Sequence, residues 1–335
     1  MSNSGNNLQN KNILLFAPAF FNYHVMIKAF LERYGAKVYL FDERNNPSSF
    51  KKILIRKAKF FVQRSIYQYY KKICNEYKDN KIDYILFVNP ECLTLQAIKM
   101  LRKGFPNSIF ILYMWDSLRN KNIEKIINCF DRLFSFDPSD CQKFNMVFRP
   151  LFFLPEFKSH AIPPDNSKYK YDFCFIGSIH SDRAKILYRI MNFCKKNNLS
   201  YYFYLYIPGK LLFCLRFCLD KYLRKIEREN IHITPISSNK ISSISAESRC
   251  IIDINHPNQN GLTMRTIEML GLGKKILTTN PSISQYDFYI PSNQLIFDRN
   301  NPMIDINLIQ KDYSPTPTNI LDKYSIHGWI KDLFS

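Results

Sequence analysis

The sequence predicts two successive α/β domains, each a parallel sheet wound on both faces by helices. Three observations lead there. At 335 residues the chain exceeds what one hydrophobic core usually organises. Short apolar runs alternate with helical patterns almost throughout, the signature of parallel strands covered on both sides. The alternation halts once, between Arg149 and Pro164, where Pro150, Pro155, Pro163 and Pro164 punctuate the chain like an interdomain connection, and then restarts. The expected boundaries are 1–157 for the first domain, 158–313 for the second, and a helical C-terminal segment, 314–335, packing back toward the first.

Met1 to Asn10 reads as a loose polar tail. Asn12 to Phe16 (NILLF) is strand-length, a helical pattern runs from Val25 to Tyr34 and stops at Gly35, and Lys37 to Asp42 (KVYLFD) is the second strand. A long basic and aromatic helix is expected from about Phe50 to Tyr77. Strands follow at Asp83 to Val88, Ile109 to Trp115 and Arg132 to Phe136, with a helix from about Leu93 to Lys103. Beyond the prolines the expected strands are Tyr171 to Ile176, Tyr201 to Ile207, Ile231 to Thr234, Cys250 to Asn255 and Lys275 to Thr278. Helices from about Arg183, Lys240 and Thr263 lie between them. Tyr201 to Leu219 is the most membrane-like stretch, but Pro208, Gly209, Lys210 and Arg216 interrupt it, so it reads as a buried strand followed by a helix.

The nine cysteines are odd in number and never spaced as CxxC, which suits buried thiols in a reducing cytosol. The polar N-terminus offers no secretory signal, so a cytoplasmic location is expected. A formal charge of +19 points to an anionic partner or to an AT-rich coding bias, and charge alone does not choose.

Ligands of open parallel sheets bind beyond the carboxyl ends of strands, so the loops there carry the functional reading. One is Gly177-Ser178-Ile179-His180-Ser181-Asp182-Arg183, leading from a strand into a helix. Glycine lets a ligand approach the backbone, the helix start favours anions, and Arg183 could grip a phosphate; equally, this is the form of an ordinary capped turn. Another is Asn260-Gly261-Leu262-Thr263-Met264-Arg265, running into a helix that carries Glu268 more than one turn inside. Its leading N–H groups suit an anion, and Glu268 could accept hydrogen bonds from the two hydroxyls of a ribose. Arg265, three residues before Glu268, either serves a phosphate or holds Glu268 in an ion pair.

The stretch Ile252 to Asn280, IDINHPNQNGLTMRTIEMLGLGKKILTTN, resembles the nucleotide-sugar segment of GT-B glycosyltransferases, notably the CgeB-like and surface-polysaccharide members. Phe175 to Arg183 (FIGSIHSDR) is similar to the first phosphate loop of the same carboxyl-terminal domain, and YMWDS (Tyr113 to Ser117) and SFDPSD (Ser135 to Asp140) look like features of this group. The resemblance implies a GT-B fold, two Rossmann-like domains facing a central cleft, and glycosyl transfer from a nucleotide sugar to a glycan. It also implies that Glu268 binds the donor ribose, with Gly177, Ser178, Arg183, Asn260, Gly261, Leu262, Thr263 and Arg265 around the phosphates. Many retaining members carry an acid eight positions before the ribose glutamate. Here that position is Asn260, so the stereochemical course is not legible.

In that family the amino-terminal domain holds the acceptor, and three residues after its strands are catalytic candidates. Asp116 follows Trp115 directly, and the pair could stack a sugar and accept a hydroxyl proton. His24 lies after the first strand and Glu91 after the third apolar run. Alternatively Asp116 caps a turn and His24 merely begins a helix. No DxD, GxGxxG, Walker A or HExxH occurs, which sets aside the usual metal-dependent transferase, dehydrogenase, ATPase and zinc-protease readings. No metal or other cofactor is expected.

Two other readings remain open: a nucleotide-sugar epimerase or hydrolase on the same scaffold, and a basic nucleic-acid-binding protein, given 28 phenylalanines and 21 tyrosines. The aromatics fall inside strand and helix runs, so no nucleic-acid partner is expected. Between Lys51 and Lys72 the basic residues Lys51, Lys52, Arg56, Lys57, Lys59, Arg64, Lys71 and Lys72 meet no acid. This helix either lies on an anionic membrane, beside a lipid-linked glycan acceptor, or simply has a core face and a solvated face.

Overall fold

The computed structural model of the chain describes residues 8–19, 22–43, 59–118, 124–158, 169–257 and 259–335, with side chains from residue 63 onward in the helix that begins at 59. It divides into two compact units. Unit 1 is Met1–Leu151 with Ile326–Ser335, and unit 2 is Phe152–Ser325.

In unit 1 a six-stranded sheet has the order β2-β1-β3-β4-β5-β6. The strands are β1 (Asn12–Ala17), β2 (Lys37–Asp42), β3 (Tyr84–Val88), β4 (Ile109–Met114), β5 (Arg132–Ser135) and β6 (Val147–Phe148), every pair parallel. The apolar runs are continuous because both faces are covered. Leu14, Phe16, Ile85, Phe87, Phe110 and Leu112 pack on one face with Ile66, Tyr70 and Ile73 of α2 (Lys59–Tyr77) and Ile98 and Leu101 of α3 (Leu95–Gly104). The opposite face meets α1 (Tyr23–Arg33) and the C-terminal helix α11 (Ile326–Phe334), where Trp329 sits edge-on to Tyr113 at 5.0 Å. Aromatics such as Phe16 and Phe87, stacked at 4.5 Å, are core and not an exposed platform for bases.

In unit 2 the order is β12-β11-β10-β7-β8-β9, again parallel throughout. Its strands are β7 (Tyr171–Ser178), β8 (Tyr201–Tyr206), β9 (Ile231–His232), β10 (Ser248–Asp253), β11 (Lys275–Thr278) and β12 (Gln294–Ile296). The helices are α5 (Arg183–Lys196), α6 (Lys210–Leu219), α7 (Ser238–Ala246), α8 (Met264–Gly271), α9 (Ile306–Gln310) and α10 (Thr318–Lys323). The chain runs outward from β7 to β8 and β9, then returns to the other side of β7 at β10. That reversal is a topological switch point, where open α/β sheets leave a crevice. Glycine is needed at the end of α8: a Cβ on Gly271 would lie 2.5 Å from Phe157 O, so the incoming 152–157 segment packs directly on the helix backbone.

Several expectations change. The start of the chain is not wholly a loose tail, since Leu8 is buried and the Asn10 N–H reaches Gly35 O at 3.1 Å. The basic helix is seen only from Lys59, and Lys51, Lys52, Arg56 and Lys57 lie outside the described residues. Its inner face, Ile66, Tyr70 and Ile73, is core, while Arg64, Lys71 and Lys72 are exposed. A short helix α4 (Pro138–Phe144), β6 and β12 were not anticipated, because a helix of seven residues is under two full turns and strands of two or three residues carry no periodicity. All nine cysteines are free thiols, but Cys214 and Cys218 are exposed instead of buried.

Candidate functional site

The crevice of unit 2 opens between the ends of β7 and β10. Gly177 and Ser178 are the last residues of β7, not part of the loop beyond it. Asp253 ends β10 and is buried, and its carboxylate accepts from Thr263 Oγ1, 3.0 Å from each oxygen, and from Thr266 Oγ1 at 2.5 Å. Thr263 also caps α8, accepting the Thr266 N–H at 3.2 Å. The strand end and the helix start are therefore locked to each other. Asn280 Nδ2 holds the loop from behind through Asn260 O and Gly261 O, at 3.2 and 3.4 Å. The first N–H groups of any helix lack partners within it, and here they lie at the carboxyl edge of the sheet, where the helix end attracts negative charge.

Three arginines gather at this edge. Arg183 spans the crevice, donating from Nη1 to Ser178 O at 2.8 Å and from Nε to Ile254 O at 2.8 Å, with Nη2 also on Ile254 O. It braces the end of β7 against the start of the loop after β10 through their carbonyls. Burial pushes it down to about 10, an effect opposed by Asp253 and Asp182 and reinforced by Arg299 and Arg265. Arg299, three residues past the end of β12, pairs with Asp182 at 2.6 Å and donates to Asn255 O, Asn255 Oδ1 and Thr279 Oγ1 at 2.7, 2.8 and 3.2 Å. Sequence reasoning missed it, because the three-residue β12 was not recognised; the available signal was an Asp-Arg pair closing the apolar run Leu295-Ile296-Phe297. Arg265 forms the ion pair with Glu268 that its spacing allowed, at 2.9 Å, and Glu268 is buried.

His180 stands in the same edge, its ring 5.7 Å from that of His256 and Nδ1 3.2 Å from Ser181 Oγ. Burial first, then Arg183, His256 and Arg216, lower it to about 4, so the imidazole is neutral at pH 7. Ser181 before α5 holds φ at 52°, a left-handed kink that sets the loop's direction.

In unit 1 the catalytic candidates lie along the carboxyl edge of one sheet. Asp116, two residues past β4, is exposed, and Asn89 Nδ2 donates to its Oδ2 at 3.2 Å. Asn89 and Glu91 follow β3. The buried Glu43 carboxylate, just after β2, accepts the N–H groups of Glu91 at 2.8 Å and Leu93 at 3.1 Å, and also that of Cys92. Glu43 thus fixes the turn that carries Glu91. His24 lies in the first turn of α1, whose neighbouring Tyr23 meets Trp115 edge-on at 6.4 Å, bringing the β1 and β4 ends together. Burial lowers His24 and Asp42 opposes the shift. The SFDPSD segment is scaffolding for this edge: Asp137 caps α4 through Ser139 N at 2.9 Å, and buried Asp140 accepts the Leu118 N–H at 2.7 Å, pinning the turn beyond Asp116. Among the described residues no three His, Cys, Asp or Glu side chains converge as metal ligands.

No family model and no curated protein sequence matches the chain. Solved structures do. The chain is similar to an alpha-glucosyltransferase complexed with UDP and a mismatched DNA 13-mer, at 13% identity and TM-score 0.55, over 97% of this chain and 93% of that one. It is similar to Anabaena HepE with UDP and glucose at 10% identity and TM-score 0.57, over 96% and 98%. A Methanocaldococcus jannaschii UDP-GlcNAc 2-epimerase matches at 10% identity and TM-score 0.51, over 97% and 99%. Two six-stranded parallel sheets in this order, with these structures superposing on nearly the whole chain, establish that the protein has the GT-B fold of two Rossmann-like domains.

Proposed function

We propose that the protein is a glycosyltransferase that takes a sugar from a nucleotide donor held on unit 2. The observation that carries this is the switch-point crevice, where the start of α8, Arg183, Arg265 and Arg299 share one edge of a sheet in the GT-B fold. The similar structures include complexes with UDP and with UDP and glucose, which supports the reading.

The donor diphosphate lies against Gly177, Ser178 and the Asn260 to Thr263 loop, and Glu268 accepts the ribose hydroxyls. In the reaction the acceptor oxygen forms a bond to the sugar's anomeric carbon as the bond from that carbon to the phosphate oxygen breaks. The leaving phosphate carries the new negative charge, which the helix start and the arginines stabilise without a metal. The acceptor's proton passes to a base on the carboxyl edge of unit 1. Asp116, exposed and oriented by Asn89, is assigned that role, with His24 and Glu91 as neighbours that shape the acceptor site. The acceptor is a glycan of bacterial surface polysaccharide or lipopolysaccharide, lipid-linked and presented at the inner face of the cytoplasmic membrane.

The test is calorimetry against a panel of nucleoside diphosphate sugars, followed by transfer assays with the donor that binds. Absence of binding to every nucleotide sugar would overturn the reading. The epimerase similarity makes one control essential: conversion of UDP-GlcNAc to its 2-epimer without an acceptor would replace transfer by epimerisation.

A further inference from the structure

The outward face of α6 is apolar. Leu211, Leu215 and Leu219 recur at every fourth position and are 87%, 56% and 77% exposed. Cys214 and Cys218, exposed as well, complete the stripe. The inward face is no more polar: Leu212, Phe213 and Phe217 lie against the core of unit 2, and the Arg228 guanidinium covers the Phe213 ring at 4.6 Å. A surface helix normally turns polar residues outward, and one that is apolar all round has something on both sides.

The charge around this stripe is predominantly positive. Lys210 at its start and Lys221, Arg224 and Lys225 beyond its end are exposed. Asp220, the acid beside them, accepts the N–H groups of Tyr222 and Leu223 at 2.9 and 3.2 Å. With 10 residues the helix is about 15 Å long, half the hydrocarbon thickness of a bilayer, so it cannot span one. Among the described residues no helix is long and apolar enough to cross a membrane.

We propose that α6 is an interfacial anchor that lies in the headgroup layer of an anionic membrane, with its leucines among the acyl chains and the flanking lysines and Arg224 against lipid phosphates. Charge selects this occupant over a second copy of the chain. A two-fold pairing of the stripe on itself would set cations against cations at both ends. The anchor is tied to the donor edge, because Arg216 of α6 donates from Nη1 to Ile179 O at 2.5 Å, in the loop between β7 and α5. Docking through α6 therefore brings the carboxyl edge of the unit 2 sheet to the lipid surface. The inference rests on the proposed reaction only for what the lipid carries.

The experiment is co-sedimentation of the full chain with vesicles of phosphatidylcholine alone and with added phosphatidylglycerol, without donor. The wild type is expected to bind the anionic vesicles at least tenfold more tightly. L211Q/L215Q/L219Q removes that binding while thermal stability and nucleotide affinity stay as in the wild type, since these leucines face outward. K210Q/K221Q/K225Q erases the preference for the anionic lipid. A polarity-sensitive maleimide on the exposed thiols Cys214 and Cys218 shifts its emission to the blue on anionic vesicles. Equal binding by the leucine variant overturns the proposal, as does a dimer in sedimentation velocity that the leucine substitutions dissolve and vesicles leave intact. Loss of nucleotide binding in every assay would sink the transferase reading and leave vesicle docking untouched, so the two failures are distinguishable.

Discussion

Asp253→Asn isolates the joint between strand and helix on which the donor site depends. Asp253 accepts one hydrogen bond from Thr266 and a shared one from Thr263, and it opposes the burial shift of Arg183. An amide keeps one acceptor oxygen and loses the charge, so one or two charge-assisted bonds go, each contributing about 1.5–3 kcal/mol. A net loss of about 2–3 kcal/mol lowers the melting temperature of a domain this size by about 4–12 °C. Thr266→Val removes one donor and leaves the Thr263 bond, so its cost is about 1–2 kcal/mol. Because α8 begins at this joint, the same change loosens the N–H groups proposed to face the diphosphate, and donor Kd rises by about tenfold, or about 1.4 kcal/mol. Thermal unfolding by circular dichroism and titration calorimetry with the donor nucleotide measure the two effects. An unchanged melting temperature would refute the structural role, and a lowered one with unaltered Kd would refute its coupling to the site.

Glu268→Gln is expected to raise donor Kd by at least tenfold with little change in melting temperature, whereas Arg183→Ala should raise the Kd and lower the melting temperature as well, because Arg183 also braces Ser178 and Ile254; calorimetry and unfolding on the two variants separate binding from bracing. Transfer activity should persist in excess EDTA, and a complete loss restored by magnesium would contradict the metal-independent mechanism. His180, lowered from 6.5 to about 4, binds its proton more readily in the unfolded chain, so stability contributed by the neutral ring is present above about pH 6.5 and lost as pH falls toward 4. The melting temperature of His180→Gln should accordingly fall less than the wild type's between pH 7.5 and pH 4.5; equal slopes would rule out this titration. Asp116→Asn should reduce turnover by a factor of about 100 or more with donor Kd unchanged, and turnover near that of the wild type would remove it as the base.

The elements legible in the sequence were those whose signal is local. NILLF, KVYLFD and CIID are strands wherever the backbone can pair, and the helix stop at Gly35 acts within four residues. Local patterning therefore determined two doubly wound domains and pointed to the loops after their strands. It could not separate the two readings of Arg265, since ion pair and phosphate grip ask for the same spacing; the folded chain, without a ligand, shows the pair. What only the tertiary structure decided is long-range. Arg299 reaches Asp182 across 117 positions, Arg183 reaches Ile254 across 71, and Glu43 reaches the 91–93 turn across about 50, and no periodicity records such contacts. The same limit hid the outward face of α6. An apolar run states only that a segment prefers to leave water, and packing alone decided which of its faces the protein covers and which it leaves for something else.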